Sequence, residues 1–277
     1  MAEAQSTLLP GVLNTIAVAS GKGGVGKSTV SANLAVALMR TGARVGLMDA
    51  DVYGPSIPKL MGVGAGLQQT ENEKMIPPLQ HGVKIMSMGF FLPKGDAVIW
   101  RGPMLHKMIQ EFLGRVEWGE LDYLVIDLPP GTGDVQLSLC QSIPLTGAVI
   151  VSTPQDLALE VASKAILMFR KLKTPILGII ENMSYHYCSH CGQRDDIFGH
   201  GGAREASEKA DIPFLGEIPL DAHIRVSSDE GRPVALEPAD SPVARAFHEL
   251  AGRVAERISI ANAAAGPMHK APVVVMR

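Results

Sequence analysis

Cysteine is scarce: the 277 residues contain three. That number cannot build a disulfide scaffold. Aromatic residues make up only 5%, too few for a platform on which single-stranded nucleic acid stacks. Charged residues amount to 19%, below the usual quarter, which argues against a disordered or strongly solvating chain. The net charge is −3, so bulk attraction to nucleic-acid phosphates is missing. No apolar run approaches the roughly 18 residues of a membrane span. No lysine precedes Lys22, no arginine precedes Arg40, and Glu3 stands where an export signal is basic; the same gap excludes an arginine-rich transit peptide. The expectation is a soluble cytoplasmic protein that binds neither nucleic acid nor membrane.

What is present is apolar: 46% of the residues, enough for a full hydrophobic core. The 29 glycines and 19 prolines, slightly above average usage, suggest tight connections. Short apolar runs recur at Thr15 to Ala19, Arg44 to Met48, Val83 to Met88, Tyr123 to Ile126, Ala148 to Val151 and Ile176 to Ile180. Continuous runs suit parallel strands covered on both faces. Helical spacing lies between them: Val30, Leu34, Ala37 and Leu38 within Ser28 to Met39, then Leu157, Val161, Ile166 and Phe169 within Leu157 to Leu172. Val243, Phe247, Leu250, Val254 and Ile258 form a last core-facing stripe. The alternation predicts an α/β fold: one domain over 14–260, a mostly parallel sheet with helices on both faces. Residues 1–13 read as a flexible N-terminus, 261–277 as a tail that frays, and Gly62 to Gln80 as an irregular, mobile surface insertion.

Gly21-Lys22-Gly23-Gly24-Val25-Gly26-Lys27-Ser28-Thr29 fits GxxxxGK[ST] between an expected strand and an expected helix. Glycines let backbone N–H groups converge on an anion, and the helix N-terminus adds positive potential. This motif puts Lys27 on the β and γ phosphates of ATP and the Ser28 hydroxyl on Mg²⁺. Leu121 to Asp127 is a strand ending in a carboxylate, and Asp127 is expected to hold Mg²⁺ mainly through water. It runs into Leu128-Pro129-Pro130-Gly131-Thr132-Gly133-Asp134, a loop suited to sensing a γ-phosphate. Asp49 and Asp51 end the second strand; Asp51 is expected to orient the attacking water and Asp49 to lie nearer the metal, an order that is open to reversal. Catalysis would then be electrostatic positioning by Lys27 and Asp51.

Cys188-Ser189-His190-Cys191 sets two thiols on one turn within the segment 182–192. That suits a soft metal, but one pair is half of a tetrahedral site. The rest must come from His186, His190 or His200, or from a second subunit whose symmetry repeats the pair as a four-cysteine site. By itself the pair leaves zinc, an iron–sulfur cluster, dithiol redox chemistry and a structural role open. Cys140, in an apolar helical stretch, reads as a buried small hydrophobe.

Lys22, one residue after the first glycine, makes the loop resemble the variant phosphate loop of the MinD, ParA, ArsA and nitrogenase iron-protein superfamily. The resemblance implies an ATP-sandwiched homodimer in which Lys22 reaches the partner's nucleotide, and a contact of Asn182 with adenine. Further segments strengthen it: DADVYGPS from Asp49, VIWRGPM from Val98, DYLVIDLPPGTGDVQ from Asp122, VSTPQD from Val151, ENMS from Glu181, the cysteine pair, and GEIPLD from Gly216. Together they are similar to the Mrp/ApbC family of P-loop ATPases that carry iron–sulfur clusters, whose mitochondrial members assist complex I assembly. That resemblance implies a labile 4Fe–4S cluster bridging two subunits through Cys188 and Cys191 of each, slow ATP hydrolysis, and transfer of the cluster to apoproteins. Many bacterial members carry an additional N-terminal domain, for which only 13 residues precede the expected first strand here. Trp100, Arg101 and His106 fall in a family-like segment without an assigned role.

Two other readings remain at this stage. A MinD/ParA-like positioning ATPase needs a basic amphipathic C-terminal helix or a basic patch, whereas residues 261–277 offer only His269, Lys270 and Arg277 and no apolar stripe. A zinc-stabilised regulatory ATPase needs a metal that resists chelation.

Overall fold

A computed structural model describes residues 9–64, 68–70, 74–91 and 113–265. Its first half runs β1 (Val12–Ser20), α1 (Lys27–Arg40), β2 (Val45–Asp49), α2 (Ile57–Leu60), β3 (Gln68–Gln69), β4 (Met75–Ile76), β5 (Leu79–Gln80), β6 (Val83–Ser87) and β7 (Leu121–Asp127). There follow α3 (Asp134–Ser142), β8 (Gly147–Ser152), α4 (Asp156–Lys171), β9 (Ile176–Glu181), β10 (His186–Tyr187) and β11 (Arg194–Asp195). The chain then forms α5 (Gly202–Lys209), β12 (Phe214–Glu217), α6 (Ala222–Asp229) and α7 (Pro242–Ala265).

Eight strands form one sheet in the order β12-β9-β8-β1-β7-β2-β6-β5. Neighbours run parallel except β5, which pairs antiparallel with β6 at one edge. Because β1 sits between β7 and β8, the chain departs to both sides of it. Crevices open at the carboxyl ends of strands at such a switch point, and the phosphate loop leaves β1 there.

Alternating residues of β1 feed two cores. Ile16 and Val18 pack with Leu34 of α1 and Phe247 of α7 on one face. Ala17 and Ala19 pack with Leu139 of α3 and Phe169 of α4 on the other. Both phenylalanines are fully buried. This two-sided burial is what continuous apolar runs require, and it confirms the expected α/β layering.

Several local expectations change. β12 was not anticipated: Phe214-Leu215-Gly216-Glu217 has no continuous apolar run, and only pairing with β9 makes it a strand. β1 begins at Val12, ahead of residue 14. α7 continues past Ile260 through Ala265, because an alanine-rich stretch prolongs a packed helix readily. Within 62–80, β3 pairs with β4 and Met75 is buried, so that stretch is partly tied to the fold. The segment 98–104, His106, the tail cations and residues 1–8 lie outside the described residues, as do the side chains of Leu157 and Val161. Among the described residues no helix is long and apolar enough to cross a membrane.

Candidate functional site

The phosphate loop links β1 to α1. Gly24 and Gly26 both have φ of +80°, and Gly26 caps α1 in the left-handed conformation. Two left-handed glycines turn successive N–H groups toward one concavity, the geometry of an anion nest. Gly26 is also sterically fixed: a Cβ there would overlap the Asn182 side-chain amide. That amide donates to the Val25 carbonyl at 2.8 Å, and Asn182 is buried. Asn182, the implied adenine contact, therefore stands at the end of β9 as a prop beneath the loop.

Three side chains meet at Asp127, at the end of β7. Its carboxylate is fully buried and accepts from Ser28 Oγ at 2.6 Å and Ser31 Oγ at 2.7 Å. Lys27 Nζ lies 2.7 Å away, also buried, and 3.3 Å from Ser28 Oγ. Lys27 is thus held by Asp127 in a buried pair rather than extended into the loop.

Asp49 stands beside Asp127, since parallel β2 and β7 put the two in register. Its carboxylate is fully buried and accepts from Ser87 Oγ at 3.0 Å and from the Asp51 and Ile57 amides at 3.1 and 3.2 Å. Burial, and then the charge of Asp127, push its pKa up to about 7. A second carboxylate so close to Asp127 marks a place where a cation would relieve repulsion. Asp51 is spent locally: its Oδ1 accepts from the Tyr53 and Gly54 amides, an Asx-type turn at the strand end. Lys22 Nζ reaches Gln155 Oε1 at 3.4 Å, and Gly131 N donates to the Ser20 carbonyl at 3.0 Å, tying the loop after Asp127 to the phosphate loop. Ser31 and Ser87 were not singled out from the sequence. Ser31 lies one helical turn after Lys27, so i,i+4 spacing was a usable signal; Ser87 reaches Asp49 only through the pairing of β2 with β6.

The cysteine pair sits at the tip of the β10–β11 hairpin. Cys188 N donates to the Gln193 carbonyl at 2.9 Å and Gly192 N to the Cys188 carbonyl at 2.8 Å; Gly192 has φ of +71°. Backbone amides of Cys191 and then His190, followed by the Cys191 thiol, act on Cys188 sulfur and hold its pKa below the usual thiol range. Cys191 is exposed and Cys188 partly so. Cys140, by contrast, is buried in α3 and its pKa is pushed up to about 12, so it is inert as expected.

The histidines do not complete the pair. His186 Nδ1 hydrogen-bonds the Leu220 carbonyl at 2.9 Å, and His200 Nε2 lies 3.3 Å from Glu217. Among the described residues, the one cluster of three potential ligands is Glu181, His200 and Glu217, with no cysteine in it. Among the described residues the histidines and the cysteine pair do not group as a zinc knuckle. That cluster is itself structural. Glu181 accepts from Ser184 Oγ, Gly201 N and Ala203 N, the last two at the start of α5, while Glu217 faces Arg194 and Arg204 at 3.6 Å each.

The family of NUBPL iron-transfer P-loop NTPases, in the ParA group, matches residues 11–255. The chain belongs to this family. An iron–sulfur cluster carrier protein from Deinococcus radiodurans is 54% identical over 253 residues, covering 91% of this chain and 72% of that protein. The iron–sulfur cluster transfer protein NUBPL of Dictyostelium discoideum is 45% identical over 270 residues, covering 97% and 84%. Among solved structures, a nucleotide-binding protein from Archaeoglobus fulgidus in complex with ADP superposes with a TM-score of 0.74 at 46% identity, covering 85% of this chain and 92% of that one. The cell-division ATPase MinD of Pyrococcus furiosus superposes with a TM-score of 0.67 at 25% identity, covering 88% and 99%. The P-loop NTPase fold of the family is the fold seen here.

Proposed function

We propose that this chain is an ATP-dependent iron–sulfur cluster carrier: it binds Mg-ATP at the phosphate loop, holds a labile 4Fe–4S cluster between Cys188 and Cys191 of two subunits, and passes the cluster to apoproteins. One observation carries the reading. Two surface thiols, Cys191 exposed and Cys188 with a depressed pKa, stand at a hairpin tip, and no third ligand groups with them among the described residues. Half a tetrahedral donor set at a surface fits a cargo shared across a two-fold axis better than a closed metal site.

The nest of Gly24 and Gly26 and the buried Asp49–Asp127 pair fit a nucleoside triphosphate with its divalent cation. Lys27 would hold the β and γ phosphates, and Ser28 and Asp127 would hold the cation, whose charge would offset the carboxylate pair. Asp51 and the partner's Lys22 orient and neutralise during a slow hydrolysis. Asn182 supplies the mechanical link: it touches the phosphate loop and lies six residues before Cys188 on the same connection. A shift of the loop therefore reaches the cysteine hairpin through one short segment.

The test is anaerobic reconstitution of the dimer and of the Cys188→Ser/Cys191→Ser variant, counting metal and sulfide. About four irons and four sulfides per dimer, lost in the variant while ATP binding persists, is the expected result. Iron retained without the cysteines, or zinc that resists chelation in their place, would overturn it.

A further inference from the structure

Beside the cysteine hairpin lies a recess of about 390 Å³, bounded by the hairpin stem, the edge strand β12 and the start of α7. Its walls carry Tyr185, Tyr187, Arg204, Arg245 and Arg253, with the guanidinium of Arg194 stacked 4.3 Å above the Tyr185 ring. The two tyrosines meet edge to face, 5.3 Å between ring centres, which fixes both rings. Tyr187 is 52% exposed and immediately precedes Cys188.

The charges in the recess do not cancel. Arg194 and Arg204 share the carboxylate of Glu217 with His200, all at 3.3–3.6 Å, and Arg194 Nε also pairs with Asp196 at 2.9 Å. Arg253 faces Glu249 at 3.6 Å and spends Nη1 on the Leu215 carbonyl. Arg245 touches only the Ala239 and Asp240 carbonyls and meets no carboxylate among the described residues. Four arginines thus face three carboxylates, and Arg245 is the one left without an acidic partner among the described residues. Arginine forks beside rigid, half-exposed tyrosines are the side chains that dominate protein–protein recognition, and the surplus of positive charge selects carboxylates.

We infer that this recess is the docking surface for an acidic segment of the apoprotein that receives the cluster. The inference rests on the carrier reading and adds to it where the acceptor sits. The observations behind it are the uncompensated Arg245 and the continuity of the recess with the cysteine hairpin: a segment seated against Tyr187 and Arg245 holds its parent protein at the thiols. Glu217, already shared by two arginines and His200, fixes the floor, so the accepting charge falls to Arg245 and the outer face of Arg204.

Two measurements on the reconstituted dimer of this chain test this. The first follows fluorescence anisotropy of a labelled hexaglutamate peptide, with hexalysine and inorganic phosphate as controls. The second follows cluster transfer from the loaded dimer to the apo form of an acidic 4Fe–4S ferredoxin as acceptor concentration rises. Wild type is expected to bind hexaglutamate in a salt-sensitive manner. Arg245→Glu should weaken that binding, and raise the acceptor concentration for half-maximal transfer, by about tenfold, with cluster content and ATP turnover unchanged. Tyr187→Ala and the charge-neutral Arg245→Gln should each give a smaller loss in the same direction, which keeps the test valid should the charge reversal fail to fold. Equal transfer by wild type and all three variants would overturn the inference. So would hexalysine binding as tightly, full displacement of the peptide by millimolar phosphate, or loss of the dimer in Arg245→Glu, which would make the surface a subunit interface. A wild-type chain that loads no iron would sink the carrier reading alone, because the peptide arm still decides whether the recess takes acidic segments.

Discussion

Replacing Gly26 by alanine tests the link between the phosphate loop and the strand that leads to the cysteines. Gly26 has φ of +80°, a conformation that costs a residue with a Cβ ~1 kcal/mol. The new Cβ also lands on the Asn182 amide, which must move and release the Val25 carbonyl, a loss of ~1 kcal/mol. The expected destabilisation is ~2–3 kcal/mol, seen as a fall in melting temperature of roughly 5–10 °C. Nucleotide binding should weaken more than stability does, because the displaced backbone is the anion nest itself. The discriminating step is a double-mutant cycle by denaturant unfolding. Asn182→Ala alone removes the hydrogen bond, ~1 kcal/mol. In the double variant the overlap is gone, leaving only the dihedral strain and the one lost bond, ~2 kcal/mol. The sum of the single effects should therefore exceed the double effect by about 1 kcal/mol. Strict additivity, or a Gly26→Ala protein that melts like wild type, would refute the contact between the loop and β9.

Other consequences are simpler to read. Asp49 titrates near 7 in the fold and near 4 unfolded, so the fold retains a proton that the unfolded chain loses in that window. Wild-type stability should decline as pH rises from about 4 to 7, and Asp49→Asn should flatten that decline; parallel pH profiles of the two proteins in urea titrations would contradict the burial of this group. Ser31→Ala removes a hydrogen bond to the buried Asp127 and should cost about 1.5–3 kcal/mol, the range for a bond to a charged acceptor, measured by chemical denaturation. Phe247→Ala in α7 empties a fully buried site and should cost about 3–5 kcal/mol, read from the same denaturant titrations.

Much of this protein was legible in order along the chain. The apolar runs named β1, β2, β6, β7, β8 and β9, because a parallel strand covered on both faces must be apolar at every position. The glycine-rich loop named the phosphate site, because glycine spacing and a following lysine encode a local shape that needs no distant partner. Cys188 and Cys191 were legible for the same reason: both lie on one turn. The stripe ending at Ile258 predicted α7, though not its run to Ala265.

Other features required the fold. β12 is a strand only because β9 offers it an edge, and nothing in Phe214–Glu217 announces this. Asp49 and Asp127, separated by 78 positions in sequence, become a repelling buried pair only when β2 and β7 align. Sequence placed His186 and His200 near the cysteines, but tertiary hydrogen bonds commit them to Leu220 and Glu217. The role of Asn182 beneath the phosphate loop likewise follows from where β9 ends. Local chemistry, set by spacing within one turn or one strand, was determined by the sequence itself. Which charges are buried together, and which ligands remain uncommitted, was decided by strand order and register, because those bring residues from distant parts of the chain within a few ångströms of each other.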